Sequence, residues 1–151
     1  MQTRAWLSTS PGAGDLALTE IEIGAPAAHQ ILVRVETAAL NFSDLLMSDD
    51  RYQIKPPRPF VQGQEIAGTV LEAGARSGFK TGDRIASKVD WGGFATHTLV
   101  RSDMAIKIPD NIASAEASAL PVVYTTSMVA LTESTTVKAG ETVLVLAASG
   151  G

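Results

Sequence analysis

The sequence predicts an antiparallel β barrel leading into the first strand of a parallel α/β sheet, and three patterns carry that prediction. Short alternating strands set apart by glycine and proline fill most of the first 108 residues; helical spacing takes over from Ser114; and a nearly continuous apolar run spans Thr142-Val143-Leu144-Val145-Leu146-Ala147.

Residues 4–8, 16–23 and 30–37 read as strands. In the third, Ile31, Val33 and Val35 alternate with Leu32, Arg34 and Glu36, the two-residue period of a half-buried strand. Turn formers separate them, Ser10-Pro11-Gly12-Ala13-Gly14-Asp15 and Gly24-Ala25-Pro26. Residues Asn41 to Asp49 break this period and bring Phe42, Leu45 and Leu46 to helical spacing, with Asn41 as N-cap. Pro56, Pro57 and Pro59 lack amide hydrogens and restrain the residues before them, so an extended loop follows. Strands resume at Ile66 to Glu72, Asp83 to Val89, Phe94 to Val100 and Ala105 to Ile108, punctuated by glycines. Ser114 is placed to cap a short helix, Ala115 to Leu120, and Pro121 opens a longer one to Glu133. The run 142–147 then reads as a strand covered on both faces, the mark of a parallel sheet. Within these 151 residues it has no parallel neighbour to satisfy its ladder.

Composition narrows the chemistry. A net charge of −4 supplies no basic field for a phosphate backbone, which disfavours nucleic acid as the main partner. With no cysteine, disulfides and thiolate metal sites are excluded. No run of 18 apolar residues and no apolar leader after Met1 appear, so membrane spanning and secretion are disfavoured and a cytoplasmic protein is expected. The two histidines, His29 and His97, read as ordinary strand residues, and Trp6 and Trp91 as packing residues.

Taken in order, Asn41-Phe42-Ser43-Asp44-Leu45, Pro59-Phe60-Val61-Gln62-Gly63-Gln64-Glu65, Gly82-Asp83-Arg84, Gly92-Gly93-Phe94-Ala95 and Ala119-Leu120-Pro121 resemble the medium-chain dehydrogenase/reductase superfamily, in its zinc-independent, zeta-crystallin-like quinone oxidoreductase branch. The resemblance implies a GroES-like antiparallel β barrel followed by the first strand of a Rossmann doubly wound domain. Residues 1–120 would form the GroES-like substrate domain, and 121–151 the linking helix and the opening of an NADP-binding domain. Gly140 to Leu146 with Ala147-Ala148-Ser149-Gly150-Gly151 then correspond to the first Rossmann strand and the start of its glycine loop. Such a loop needs later glycines and the amides of a following helix to hold pyrophosphate. By itself, then, the 151-residue chain is expected to bind NADPH weakly or not at all and to turn nothing over.

Zinc-dependent relatives carry a Cys near the segment equivalent to Asn41 to Asp44 and Gly-His-Glu where this chain has Gly63-Gln64-Glu65. Gln64 is a poor zinc ligand, because a neutral amide lacks the donor strength of imidazole or thiolate. The resemblance therefore implies a metal-free site. Asn41 is expected near the nicotinamide, its amide able to donate and accept there; helix capping is its plainer role, and the two are compatible. Tyr52 is the candidate to hydrogen-bond a quinone or enone oxygen as charge develops, against a plain surface role. Gln64 is a candidate to touch substrate or water. Asp44 and Glu65 are read as structural, Glu65 as buried structure or an ion-pair partner. Tyr124 or Thr126, on the linking helix, and Gly150 and Gly151, in the loop, are the remaining cofactor candidates.

The expected activity is NADPH-dependent hydride transfer to a quinone or activated alkene, with a homodimer formed through the second domain. An enoyl reductase, a non-catalytic crystallin-like or trafficking relative, and a free-standing GroES-like binding module are the alternatives.

Overall fold

A computed structural model describes residues 1–146. Among these residues eight strands form two antiparallel sheets. Strands β1 (Gln2–Ser8), β2 (Leu16–Glu22) and β4 (Phe60–Val61) make a three-stranded sheet ordered β2-β1-β4. Strands β3 (Gln30–Ala39), β5 (Glu65–Ala73), β6 (Arg84–Lys88), β7 (His97–Arg101) and β8 (Ala105–Lys107) make a five-stranded one, ordered β7-β3-β5-β6-β8. Residues 94–96 stitch the two together. Trp6 N donates to Phe94 O, Thr96 N to Arg4 O and Val35 N to Thr96 O, at 2.9, 2.9 and 3.0 Å. The predicted strand from Phe94 is thus a seam that becomes regular only at His97, because its first residues bond to both sheets.

The core lies on one face of the larger sheet. Ile31, Val33, Ile66, Val70, Ile85 and Val100 are fully buried, and Val89 nearly so. Their spacing on β3 and β5 follows the predicted period, although Leu32 is also buried and a register irregularity falls between Leu32 and Val33. A smaller cluster of Ala67, Ala86, Ile108 and Ala117 seats helix α2 (Ser114–Ala117) over the central strands β3, β5 and β6.

Five expectations are corrected. Helix α1 (Phe42–Ser48) does form, but it buries Asp44, Met47 and Ser48, leaving Phe42 and Leu45 exposed. The surface beneath it is polar, with Gln62 Nε2 donating to Ser48 Oγ, and this reverses the face that hydrophobicity selects. Ser114 is the first residue of α2 rather than its cap; Ala113 holds that place, with its amide donating to Glu116 Oε2 at 3.3 Å, and the Ser114 hydroxyl is instead engaged by Glu36, whose Oε2 accepts it at 2.6 Å. The longer helix begins as a single π-helical turn, Leu120–Tyr124, before α3 (Thr125–Thr132). Residues 142–146 form no strand, and Val143, Leu144, Val145 and Leu146 are 52–81% exposed. A parallel strand needs a neighbour for its ladder, and none of the described strands pairs with this segment. Ala147, Gly150 and Gly151 lie outside the described residues. The tryptophans are not core residues either: Trp6 and Trp91 are 44% and 41% exposed.

Candidate functional site

The site is built where β3 ends, α1 begins and β5 begins. Glu65 opens β5 opposite Ala39, so the register places its carboxylate two residues from Asn41 along the neighbouring chain. It is completely buried. Both of its oxygens are occupied: Oε2 accepts from Asn41 Nδ2 at 2.9 Å, and Oε1 accepts from the main-chain amide of Val122 at 2.7 Å. One carboxylate therefore ties the start of α1 to the π-helical turn after Pro121. A buried carboxylate with charge-assisted hydrogen bonds to both oxygens loses little of what water gave it.

Asn41 is the N-cap residue, as predicted, and Asp44 completes the cap. Asp44 Oδ2 accepts from Asn41 N at 2.8 Å, and Asp44 N donates to the Asn41 carbonyl at 3.0 Å. The other oxygen, Oδ1, is buried with no hydrogen-bond partner among the described residues. Burial pushes the Asp44 carboxyl up to about 6; the Asn41 amide opposes this, and the nearby charge of Glu65 adds to it.

Beside this pair, the Ser43 hydroxyl donates to Gln64 Oε1. Gln64 is 3% exposed, and its place follows from Gly63, whose φ of 98° suits glycine. A Cβ there would stand 2.5 Å from the Phe94 amide nitrogen, so the turn that delivers Gln64 needs a residue without one. Ser43, Gln64 and Asn41 are all neutral. Among the described residues, no group of three or more His, Cys, Asp or Glu is placed to hold a metal ion. His97 pairs with Arg34 across β3 and β7.

Tyr52 lies half-buried in the loop after α1. The amides of Arg51 and Tyr52 both donate to Leu46 O, at 2.8 and 3.1 Å. Arg58 braces the loop by donating to Ser48 O and Asp50 Oδ1, each at 2.8 Å, and by contacting Ser8, while its guanidinium stands 5.1 Å from the centre of the Phe60 ring. Tyr52 is not part of the network that unites Asn41, Glu65 and Val122.

On the linking helix, Tyr124 is 63% exposed. Thr126 is also exposed, and its hydroxyl donates to Val122 O at 2.6 Å, so that group is engaged by its own helix. The structure thus brings Asn41 together with Val122 through Glu65, and Gln64 together with Ser43; it leaves Tyr52, Tyr124 and Thr126 outside those bonds. Sequence reasoning missed the Val122 amide and the reach of Glu65, which forms a pair of hydrogen bonds and not an ion pair. The available signal was a lone acid opening the otherwise uncharged run Glu65-Ile66-Ala67-Gly68-Thr69-Val70.

Trp6, Leu18, Leu40 and Phe94 line an open groove of about 550 Å³ next to this site. Its rim also carries Arg4 and Glu36.

This architecture has known counterparts. The model of the alcohol dehydrogenase GroES-like domain matches residues 27–110, more than half of the chain. Rat quinone oxidoreductase-like protein 2 is 38% identical over 123 residues, covering 81% of this chain and 35% of that protein. The solved quinone oxidoreductase of Pseudomonas syringae pv. Tomato DC3000 superposes with a TM-score of 0.85 at 29% identity, over 93% of this chain and 44% of the other. The quinone oxidoreductase of Thermus thermophilus, solved alone and with NADPH, gives 0.75 at 29% identity, over 86% and 40%. The chain therefore spans well under half the length of these relatives. Together with the ordered motifs from Asn41 to Pro121, these matches establish that the chain belongs to the alcohol dehydrogenase GroES-like domain family, within the quinone oxidoreductase branch of the medium-chain dehydrogenase/reductase superfamily.

Proposed function

We propose that this chain forms the substrate-side wall of an NADPH-dependent reductase that reduces a quinone or an activated alkene without zinc. In this reading residues 1–120 are the substrate domain, and 121–151 lead into the nucleotide-binding domain, through which the protein pairs as a homodimer. One observation carries it: where metal-dependent relatives keep their ligands, this chain has partly buried neutral amides and hydroxyls, Ser43 bonded to Gln64 and Asn41 bonded to Glu65. Such groups are weak ligands for zinc and good partners for carbonyl oxygens, carboxamides and ribose hydroxyls.

In this reading the neutral amide and hydroxyl groups suit the nicotinamide end of the cofactor. Asn41 would meet it from α1, and Tyr124 or Thr126 from the helix that Glu65 fastens beside it. When bound, NADPH supplies the hydride, which with one proton from solvent converts a quinone to a hydroquinone. In this reading Gln64, held by the Ser43 hydroxyl, contacts substrate or an ordered water. Tyr52, on its braced loop, offers a phenol to an acceptor oxygen as negative charge gathers there, the type of stabilisation that replaces a Lewis acid. An electrophilic quinone or enone needs no more polarisation than this, whereas an alcohol substrate does.

The test is NADPH oxidation by the protein together with whatever continuation its gene encodes, using 1,4-benzoquinone and a crotonyl thioester in parallel. Turnover unaffected by a strong zinc chelator is expected. Loss of turnover on chelation, restored by zinc, would overturn the proposal. On the same assay, Tyr52→Phe is expected to lower kcat by about a hundredfold, the lower end of what one general acid or oxyanion donor contributes.

A further inference from the structure

We infer that Glu65 is the positioning residue of this site, a single carboxylate that fixes both the orientation of the Asn41 amide and the seat of the π-helical turn at Val122. The inference rests on the reading given under Proposed function and adds a role that the sequence does not display. Its strength lies in the direction of the hydrogen bonds. An ionised carboxylate can only accept and a main-chain amide can only donate, so the Val122 bond has one possible sense. The Asn41 bond is fixed likewise. Only the Nδ2 end of that amide can face Glu65, and the carbonyl end is forced to the other side. An asparagine without such a neighbour chooses between two flipped states of nearly equal shape; this one has a single state.

The consequence is functional because the two partners belong to different walls. Asn41 stands at the start of α1 in the β domain, and Val122 lies in the turn that opens the linking helix. Glu65 itself sits at the head of a strand whose next residues, Ile66 and Ala67, are fully buried, so its own position is set by the core. Thr126 extends the arrangement by donating to Val122 O, placing the turn's amide and carbonyl in one continuous chain of hydrogen bonds. Any shift of the linking helix relative to α1 must stretch one of the two Glu65 bonds. The carboxylate thereby couples the polarity that Asn41 presents to the placement of Tyr124 and Thr126.

The decisive variants are Glu65→Gln and the exchange Asn41→Asp with Glu65→Gln. Glutamine keeps the volume, but it has only one acceptor end. If that end serves Val122, its amino group faces Asn41, and the Asn41 amide must turn over. In the exchanged pair the introduced glutamine accepts from Val122 and donates to the introduced aspartate, so both bonds return at unchanged net charge. Two readouts apply. In the chain itself, NMR should show one Asn41 side-chain proton and the Val122 amide proton shifted downfield and slow to exchange; Glu65→Gln should lose the Asn41 signature while Val122 stays protected, and the exchange should show a downfield-shifted, slowly exchanging side-chain proton on the introduced glutamine beside a protected Val122 amide. In the protein with its gene-encoded continuation, Glu65→Gln should lower kcat by about tenfold or more, with a smaller change in KM for the quinone, as misplacement of reacting groups does. A folded Glu65→Gln protein with unchanged Asn41 and Val122 signals, or with unchanged kcat, overturns the inference. A wild-type protein that oxidises no NADPH overturns the proposed function, and the NMR arm still decides whether the carboxylate sets Asn41 and Val122.

Discussion

The sheet core and the stretch from Leu120 to Leu146 have similarly apolar sequences and opposite fates. In the first, Ile31, Val33, Ile66, Val70, Ile85 and Val100 exclude water entirely. In the second, Tyr124, Met128, Val129, Val143, Leu144, Val145 and Leu146 lie 46–81% exposed. Apolar character is thus no guide to burial by itself. What separates the regions is pairing: β3 is bonded on both sides, by β5 and β7, whereas the later stretch meets the barrel only at its start, through the Glu65 bond to Val122 and the packing of the π-helical turn against β6 and α2. Contiguous exposed apolar surface of this kind is a feature of surfaces that meet another domain or chain.

Substitutions should reproduce this contrast. The largest effect is expected from Ile66→Ala, which opens a cavity at a site with 0% exposure and should cost about 2–5 kcal/mol in chemical denaturation; a cost below about 1 kcal/mol would mean that the core is not packed as described.

An intermediate effect is expected from Asp44, and its sign follows from linkage. Its folded carboxyl titrates at about 6, above the ordinary value of 3.8, so between those values the folded state holds more protons than the unfolded one. Stability should therefore fall as pH rises from about 4 to about 6, by up to ~3 kcal/mol for a shift of this size. Asp44→Asn keeps an acceptor for the Asn41 amide and removes the buried charge, so it should flatten that slope. An unchanged slope in urea melts across this range would assign the pH dependence to other groups.

The smallest effect is expected from Val129→Ser on α3, where the side chain is already 46% exposed. It should shift stability by no more than about 0.5 kcal/mol, the range of ordinary surface changes. A larger loss would show that α3 is packed against something.

Much of the fold was legible because alternation reports burial directly in a sheet with one buried face. The strands predicted at 4–8, 16–23 and 30–37 correspond to β1, β2 and β3 with small changes at their ends. Asn41 as N-cap was legible for a similar reason, since capping depends on neighbours within one turn. The buried face of α1 was not. Asp44 and Ser48 turn inward because Asn41, Gln62 and Arg58 meet them there, partners up to 14 residues away along the chain. Nor did local pattern reveal that Phe94 to Thr96 join two sheets, because their hydrogen-bond partners lie on β1 and β3.

The sequence by itself determined the order of the elements, the period of the core strands and the neutral character of Asn41, Ser43 and Gln64, all properties of residues and their near neighbours. Only the tertiary structure decided that Glu65 reaches Asn41 and Val122 at once, across separations of 24 and 57 residues. It also decided that the apolar run beginning at Thr142 is not a strand here. Both outcomes depend on which backbone groups find partners far away in the chain, and such pairing energy is not written in any local stretch of residues.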